Sequence, residues 1–218
     1  VSFIDLAPTM LAAAGVDWGK GGMAPTPGRS LLPVLGATES GRVDPTRDRV
    51  LLGRERHDPG RPRNQGYPIR GIVRDRWLYL HNYTPDRWPS GNPETGYRDV
   101  DSSPTKSAVL ERRRTTGHDL YWEFAFDKRG EDELYDLTHD PDCVKNLAAD
   151  PAQAGRLVAL RDQVERELMA QQDPRMLGQS DFFDAFPFVP PLYNDFYERW
   201  QKGEKLPIPA GDTDQAWP

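Results

Sequence analysis

The chain has 218 residues, of which 37% are hydrophobic, and it carries a formal net charge of −6 with a single cysteine. This charge argues against a nucleic-acid partner bound through a basic surface, one cysteine excludes an internal disulfide, and the lack of a long apolar run argues against a membrane span. The 21 prolines and 19 glycines predict many turns and long loops around a modest core. None of these features indicates a compartment.

The predicted secondary structure follows from apolar periodicity and from capping residues. In chain order, the elements are a helix over 2–14, a helical turn over 28–36, strands over 49–55, 68–75 and 76–83, a helix over 103–114, a strand over 132–137 and a helix from Asp150 to about Gln172. Ser2 or Asp5 could cap the first helix, and Pro8 favours Asp5; its apolar stripe is Leu6, Met10, Ala13 and Ala14. Ser103 is the predicted cap of the helix over 103–114. Residues 84–120 form a long polar excursion, of a length that is usually functional or disordered.

The most regular element is the last of these helices. Its apolar face is formed by Leu157, Leu160, Val164 and Leu168. These residues are three or four apart, as on one side of a helix, and Asp150 followed by Pro151 is a typical helix start. The short Arg-Asp-Arg connection at 74–76 predicts a tight hairpin. We therefore predict an α+β fold, in which a small antiparallel sheet of about four strands packs against one long C-terminal helix, with long loops and an extended tail.

Composition divides the chain into three parts. Residues 1–48 hold a helix, a loop rich in glycine and proline, and a polar linker, whereas residues 49–174 hold the sheet and the long helix. Residues 175–218 are a tail rich in proline and aromatic residues, which we expect to wrap a larger body. Because the chain begins in the middle of a helical pattern, we expect a further part of the protein to precede it.

Several residues that could carry catalysis have simpler interpretations. Cys143 follows Asp140 and Asp142, which would raise the pKa of its thiol rather than lower it. The four histidines show no metal-binding spacing. Asp136, Asp140 and Asp142 cluster in one turn, where aspartates mostly accept hydrogen bonds from nearby backbone N–H groups.

Positive charge is concentrated in residues 42–76. This stretch holds ten arginines and five acidic residues, a local charge of +5 in an acidic chain. One interpretation is a solvated sheet edge on which arginines pair with acids. The other is a site for sulfate, phosphate or carboxylate. Its residues would be Arg54, Arg56 and His57 at the end of a strand, with Arg61 and Arg63 in the following loop.

Five segments, in this order, resemble the C-terminal region of sulfatases. They are FIDLAPTMLAAAGV at 3–16, GRSLLPVL at 28–35, RDRVLLGRERH at 47–57, YPIRGIVRDRWLYLHNY at 67–83 and ELYDLTHDPDCVKNLAADP at 133–151. The amphipathic helix follows the last of them, so the resemblance covers roughly residues 1–175. It is strongest to the heparan N-sulfatase (sulfamidase)-like branch and its bacterial relatives.

The resemblance implies an enzyme of the alkaline-phosphatase-like superfamily, whose large N-terminal domain carries formylglycine and Ca²⁺. The formylglycine is made from the Cys or Ser of a C/S-x-P-x-R motif, and Cys143 is followed by neither Pro nor Arg. No catalytic residue and no metal ligand is therefore expected in this chain, which would be inactive alone. Residues 1–48 would end the large domain and form the linker, 49–174 would be the small C-terminal domain, and 175–218 the wrapping tail. Its partners would be the missing N-terminal domain and a sulfated small molecule or sugar.

In sulfamidase-like enzymes, the segment matching GRERH runs from the small domain's sheet toward the substrate cleft. The resemblance therefore implies a pocket rim that holds an acidic or sulfated substrate, formed by Arg54, Glu55, Arg56 and His57 with help from Arg61. Residues 84–107 are a second candidate for specificity. The alternatives are a stand-alone module that binds an anionic glycan or nucleic acid, and a purely structural domain. The sequence does not distinguish among a sulfate ester, a sulfamate and a phosphonate as substrate.

Overall fold

The computed structural model describes residues 1–187 and 191–206, and its centre is one antiparallel sheet. The strands are β1 (Arg49–Arg54), β2 (Ile69–Arg74), β3 (Trp77–Asn82) and β4 (Asp132–Asp136), and they lie side by side in chain order. β2 and β3 are joined by Asp75 and Arg76, whose φ angles are 48° and 64°. Two consecutive positive φ values are what a tight two-residue hairpin requires.

The long predicted helix is α5 (Ala154–Ala170), and it covers one face of the sheet. A carboxylate oxygen of Asp150 accepts a hydrogen bond from the N–H of Ala152 at 2.9 Å, and a 3-10 turn over Pro151–Gln153 leads into α5. The core between α5 and the sheet consists of Ile72, Tyr79, Leu134, Leu160, Val164 and Leu168. The α+β prediction is confirmed, and so is the apolar face on which it depended.

The polar excursion over 84–120 and the residues that follow it form a second small core. This part of the chain contains α3 (Pro104–Thr116) and α4 (Leu120–Phe126). The core residues are Tyr97, Leu110, Trp122 and Phe126. The hydroxyl of Ser103 accepts from the N–H of Lys106 at 3.1 Å, as the sequence predicted, but α4 was missed. Its aromatic run has no apolar period, and the signal was Asp119, whose carboxylate caps α4 by accepting from the N–H of Trp122 at 3.0 Å.

The N-terminal part holds α1 (Leu6–Ala13) and α2 (Leu32–Leu35), with a 3-10 turn over Phe3–Asp5 before α1. The predicted cap Asp5 is wrong, because its side chain makes no capping hydrogen bond to α1. Its buried carboxylate accepts instead from the backbone N–H of Arg29 at 2.9 Å and from Arg47 at 2.8 Å. The apolar stripe of α1 stays exposed, with Met10 67% accessible.

The tail after α5 contains α6 (Asp181–Asp184), a 3-10 turn over Pro191–Tyr193 and α7 (Phe196–Gln201). α7 lies against the Pro62–Asn64 turn between β1 and β2. Residues 188–190 and 207–218 of the predicted tail lie outside the described residues. Within the described part of the chain, no helix combines the length and the apolar character that crossing a membrane needs.

Candidate functional site

The loop from residue 55 to residue 68 joins β1 to β2 and contains four of the five residues predicted to bind substrate; the fifth, Arg54, ends β1. Three other parts of the chain contact this loop: the excursion, the segment after α5, and α7. Between the loop and α7, the N–H of Arg63 donates to the Glu198 carboxylate at 2.6 Å, and the amide of Asn64 donates to Asp195 at 2.9 Å. The loop is therefore held by residues that are distant in sequence.

Arg61 lies inside the protein. Its guanidinium donates to the carbonyls of Trp88 at 2.8 Å and Pro89 at 2.9 Å and forms an ion pair with Asp99. The side chains of Arg61 and Asp99 are only 1% and 2% exposed. Arg61 thus joins the loop to the excursion, and it is not a rim residue that a substrate could reach directly.

Arg54 lies beside Arg61. It donates to the same Pro89 carbonyl at 2.7 Å, and the two guanidinium groups lie 5.4 and 5.9 Å from the centre of the Tyr67 ring. Burial lowers the pKa of Arg54, although the nearby Asp99 carboxylate opposes this shift. Burial also raises the pKa of Tyr67 to about 12, so its phenol is neutral at ordinary pH.

Glu55 belongs to a charge network that fastens the end of α5 to the sheet. Its carboxylate lies 2.6 Å from Arg70 and 2.7 Å from Arg175. Arg70 also pairs with Asp173 at 2.7 Å. Because both carboxylate oxygens of Glu55 already meet arginine, its role is to position the loop.

Arg56 and His57 lie at the outer part of the loop. Arg56 is half-buried and donates to the carbonyls of Asn64 at 3.2 Å and Phe186 at 2.6 Å. His57 is exposed, and the described residues offer its imidazole no hydrogen-bond partner. The next residue is fixed, since the N–H of Asp58 donates to the Asp99 carboxylate at 3.0 Å. Of the five predicted residues, His57 is thus the one whose side chain is fully available to a ligand.

The arginines of residues 42–76 mostly pair with carboxylates. The pairs include Arg42–Asp75, Arg47–Asp5, Arg49–Glu167, Arg61–Asp99, Arg70–Glu55 and Arg74–Asp48. Arginines therefore pair with acids, as one interpretation held. The solvated edge holds for Arg42, Arg49 and Arg74, whose side chains are 38–55% exposed, but not for the buried Arg61 and Arg70.

A cavity of about 690 Å³ lies along β1, between the N-terminal segment and the end of α5. Arg54 and Glu55 line it together with Arg70 and Phe183. The other three predicted residues, from Arg56 to Arg61, are not part of this lining. The predicted site residues are thus not together: Arg54 and Glu55 line the cavity, His57 is exposed on the loop, and Arg61 is in a buried ion pair.

The described residues offer no metal site, since no group of three His, Cys, Asp or Glu side chains among them could hold an ion. The aspartate turn makes backbone hydrogen bonds instead. The Asp140 carboxylate accepts from the N–H groups of Val144 at 3.0 Å and Lys145 at 2.8 Å, and Asp136 accepts from Thr138 at 2.9 Å. Burial, and then the charge of Asp140, raise the pKa of the Cys143 thiol.

Sequence reasoning missed the aromatic residues of α6 and its continuation. Phe182 and Phe186 are exposed, and Phe186 contacts the predicted site through its carbonyl. The signal in the sequence was only the aromatic density of the tail. Contact with Arg56, which is 130 positions earlier in the chain, depends on how α5 returns the chain to the loop.

Two curated proteins are similar to most of this chain. N-sulphoglucosamine sulphohydrolase of Homo sapiens is 28% identical over 205 residues, which are 89% of this chain and 38% of that protein. The ulvan-active sulfatase of Formosa agariphila is 28% identical over 190 residues, which are 84% of this chain and 28% of that protein. The homologues of this chain are sulfatases. The chain spans well under half the length of either sulfatase, and no family model matches it.

Solved sulfatase structures also resemble the chain. A putative sulfatase from Bacteroides thetaiotaomicron has a TM-score of 0.44 with 20% identity, over 78% of this chain and 25% of that one. A structure in complex with its substrate D-glucosamine-2-N,6-O-disulfate has a TM-score of 0.45 with 20% identity, over 83% of this chain and 25% of that one.

Proposed function

We propose that this chain is the C-terminal portion of a sulfatase that hydrolyses sulfate esters or N-sulfamates of an acidic or sugar substrate. The observation that carries the proposal is the 28% identity to N-sulphoglucosamine sulphohydrolase over 89% of the chain. The ulvan-active sulfatase supports it with the same identity over 84% of the chain. Both relatives are named for sulfated substrates, which favours a sulfated sugar.

We assign a different role to each of the three parts of the chain. Residues 1–48 would end a larger preceding domain, residues 49–174 would form the small domain, and residues 175–218 would be the extended wrapping tail. The exposed apolar face of α1 supports this division, because a face of that kind normally packs against another surface. Catalysis would belong to the preceding domain, in which a formylglycine and Ca²⁺ would supply the nucleophile and stabilise the charge on sulfate. The described residues of this chain hold no site for that metal.

The small domain would contribute to the rim of the substrate pocket. His57 would contact the substrate, because its imidazole is exposed and unpaired among the described residues, and Arg56 lies next to it on the loop. Arg54, Glu55 and Arg61 would act as positioning residues, since each is engaged with other parts of the chain. We therefore propose that the loop after β1 forms the rim, and that His57 is its direct contact with the substrate.

The alternatives have less support. A stand-alone anion-binding module would need several free guanidinium groups, yet Arg54, Arg56 and Arg61 donate to carbonyls or pair with carboxylates. Among the described residues, this leaves Arg63 as the one arginine of that cluster without a side-chain partner. A purely structural domain would leave the exposure of His57 without a role.

The test is expression of the protein from its complete coding sequence, followed by assays with glucosamine N-sulfate, a sulfated oligosaccharide and an aryl sulfate. Release of sulfate from at least one of them is expected, and the 218-residue chain alone should release none. A complete protein that contains the C/S-x-P-x-R motif in its modified form and turns over none of these compounds would contradict the proposal. Turnover by the 218-residue chain alone would contradict the placement of the catalytic residues.

A further inference from the structure

Two phenylalanine rings stand exposed on the surface at α6. Phe182 is 47% exposed and Phe186 is 54% exposed. Their rings meet edge to face, with centroids 5.1 Å apart and an interplanar angle of 83°. Leaving aromatic surface in water is unfavourable, so a pair of adjacent exposed rings is informative where a single exposed apolar residue is not.

The pair is held in place by α6. Phe183, between the two exposed rings in sequence, turns inward and lies 5.5 Å from the guanidinium of Arg70 and 5.7 Å from that of Arg175. The N–H of Gly66 donates to the Asp184 carboxylate at 3.4 Å, and Arg56 donates to the Phe186 carbonyl at 2.6 Å. The exposed rings are therefore attached at three points to the rest of the small domain.

One arginine beside this attachment has an available side chain. Arg63 is exposed, and the described residues provide no partner for its guanidinium. It is next to Asn64, whose carbonyl accepts from the same Arg56 guanidinium that donates to the Phe186 carbonyl. The charges around it are otherwise mixed, because Arg87 lies within electrostatic range of Asp184 and Asp86, and Glu198 accepts from the Arg63 N–H at 2.6 Å. The group near the exposed rings that can bind an anion is therefore the Arg63 guanidinium.

The size of the exposed apolar surface limits what can cover it. A phenylalanine buries about 150–250 Å² when fully covered, so two half-exposed rings offer on the order of 200 Å². A specific protein interface buries at least about 1,000 Å² in total. The exposed area of the two rings is therefore too small for a protein interface. It suits one sugar ring, whose C–H face is apolar and whose substituents are polar.

We propose that Phe182 and Phe186 form a platform for the pyranose ring of an anionic sugar, and that the anionic substituent of this sugar is held by Arg63. Because the two rings are nearly perpendicular, one stacks on the face of the sugar while the other contacts its edge. This inference rests on the proposed function, and it adds a specificity-determining contact that lies outside the loop of residues 54–61. Aromatic surface with a few placed polar groups is the usual composition of a site for a small organic ligand.

The test compares variants of the complete protein. Phe182→Ala/Phe186→Ala should raise KM for glucosamine N-sulfate at least tenfold and leave KM for an aryl sulfate that lacks a sugar unchanged. Phe182→Leu/Phe186→Leu should raise it similarly, because leucine keeps the apolar surface but cannot stack. Tyr121→Ala is the matched control, since Tyr121 is an exposed aromatic residue on α4.

Binding is measured separately by saturation-transfer difference NMR with glucosamine N-sulfate, glucosamine and inorganic sulfate. The ring protons of glucosamine N-sulfate should show transfer that the double alanine variant loses, and Arg63→Ala should weaken the N-sulfate without affecting glucosamine. If the complete protein is active and the double alanine variant changes its KM and its binding no more than Tyr121→Ala does, the platform is wrong and the proposed function still stands. The complete protein could also lack sulfatase activity and still show saturation transfer that the double alanine variant loses. That result would support the platform and contradict the proposed function. If the leucine variant retains sugar binding while the alanine variant melts several degrees lower, the rings pack against another part of the protein and the platform is wrong.

Discussion

Glu55 and Arg175 are 120 positions apart in the sequence and form a two-point ion pair. Arg175 Nη2 and Nε lie 2.7 and 3.1 Å from the two oxygens of the Glu55 carboxylate. Arg70 reaches the same carboxylate at 2.6 Å. One acidic side chain thus connects the loop after β1, the middle of the sheet and the segment after α5.

Replacing Glu55 by Gln should destabilise the protein while changing little in shape. The loss of charge leaves Arg70 and Arg175 with one carboxylate fewer, at a side chain that is 19% exposed. We expect a loss of about 1–3 kcal/mol in the free energy of unfolding, somewhat less than for a fully buried pair. Urea unfolding measures it, with Glu111→Gln as the control because the Glu111 side chain is 65% exposed. Equal midpoints for the two variants would show that the network is not stabilising.

Stability at low pH should depend on Asp173. Burial tends to raise the pKa of this carboxyl, but hydrogen bonds from Arg70 and from the N–H of Arg175 outweigh burial and hold the pKa below its ordinary value of 3.8. Its contribution to stability is therefore complete above pH 3.8 and is lost as the pH falls through the lower value of the folded state.

Urea midpoints measured between about pH 2 and pH 6 should fall more steeply toward acid for the parent protein than for Asp173→Asn. The substitution of the exposed Asp142 by Asn serves as the control and should leave the steepness unchanged. If Asp173→Asn leaves the acid dependence of the midpoint unaltered, the ion pair with Arg70 contributes nothing to it.

Arg61→Ala should be more destabilising than any substitution of an exposed arginine. It leaves the buried Asp99 carboxylate without its cation, and loss of one partner of a buried pair typically costs about 3–5 kcal/mol. Arg114→Ala is the control, since Arg114 makes a 3.7 Å contact with the exposed Glu111. A double-mutant cycle with Asp99→Ala should show a coupling energy of at least about 1 kcal/mol between Arg61 and Asp99. Additive effects would mean that the two side chains act independently.

His57→Ala should lower activity without lowering stability, in contrast to Arg61→Ala. Because the side chain is exposed and unpaired among the described residues, the melting temperature should not change. In the complete enzyme, kcat/KM on the sulfated substrate should fall more than threefold, a loss of more than about 0.6 kcal/mol of transition-state binding. His139→Ala provides the comparison, since the His139 side chain is 82% exposed on the far turn. An effect of His57→Ala no larger than that of His139→Ala would remove this residue from the pocket rim.

Leu110→Ala tests the second core. Leu110 is 1% exposed, and deleting a buried leucine side chain costs about 2–5 kcal/mol because a cavity remains. Thr115→Ala, on the exposed side of the same helix, should cost far less. If the two variants unfold at the same urea concentration, the excursion does not contribute to the cooperative fold.

The sequence predicted the elements whose signals are local. The apolar face of α5, the Ser103 cap of α3 and the hairpin at Asp75 each depend on residues within four positions of one another, and each was confirmed. α4 was missed because its aromatic run lacks periodicity. The concentration of arginine around β1 was also evident, but its partners were not.

What only the tertiary structure decided is which charges meet. Arg61 and Asp99 are 38 positions apart, and Arg56 and Phe186 are 130 apart, so no local pattern specifies either contact. An arginine in sequence is equally consistent with a solvated side chain, a buried ion pair and a ligand contact. Burial and the geometry of distant partners distinguish these cases, because a guanidinium leaves water only where other groups satisfy its charge and its N–H donors.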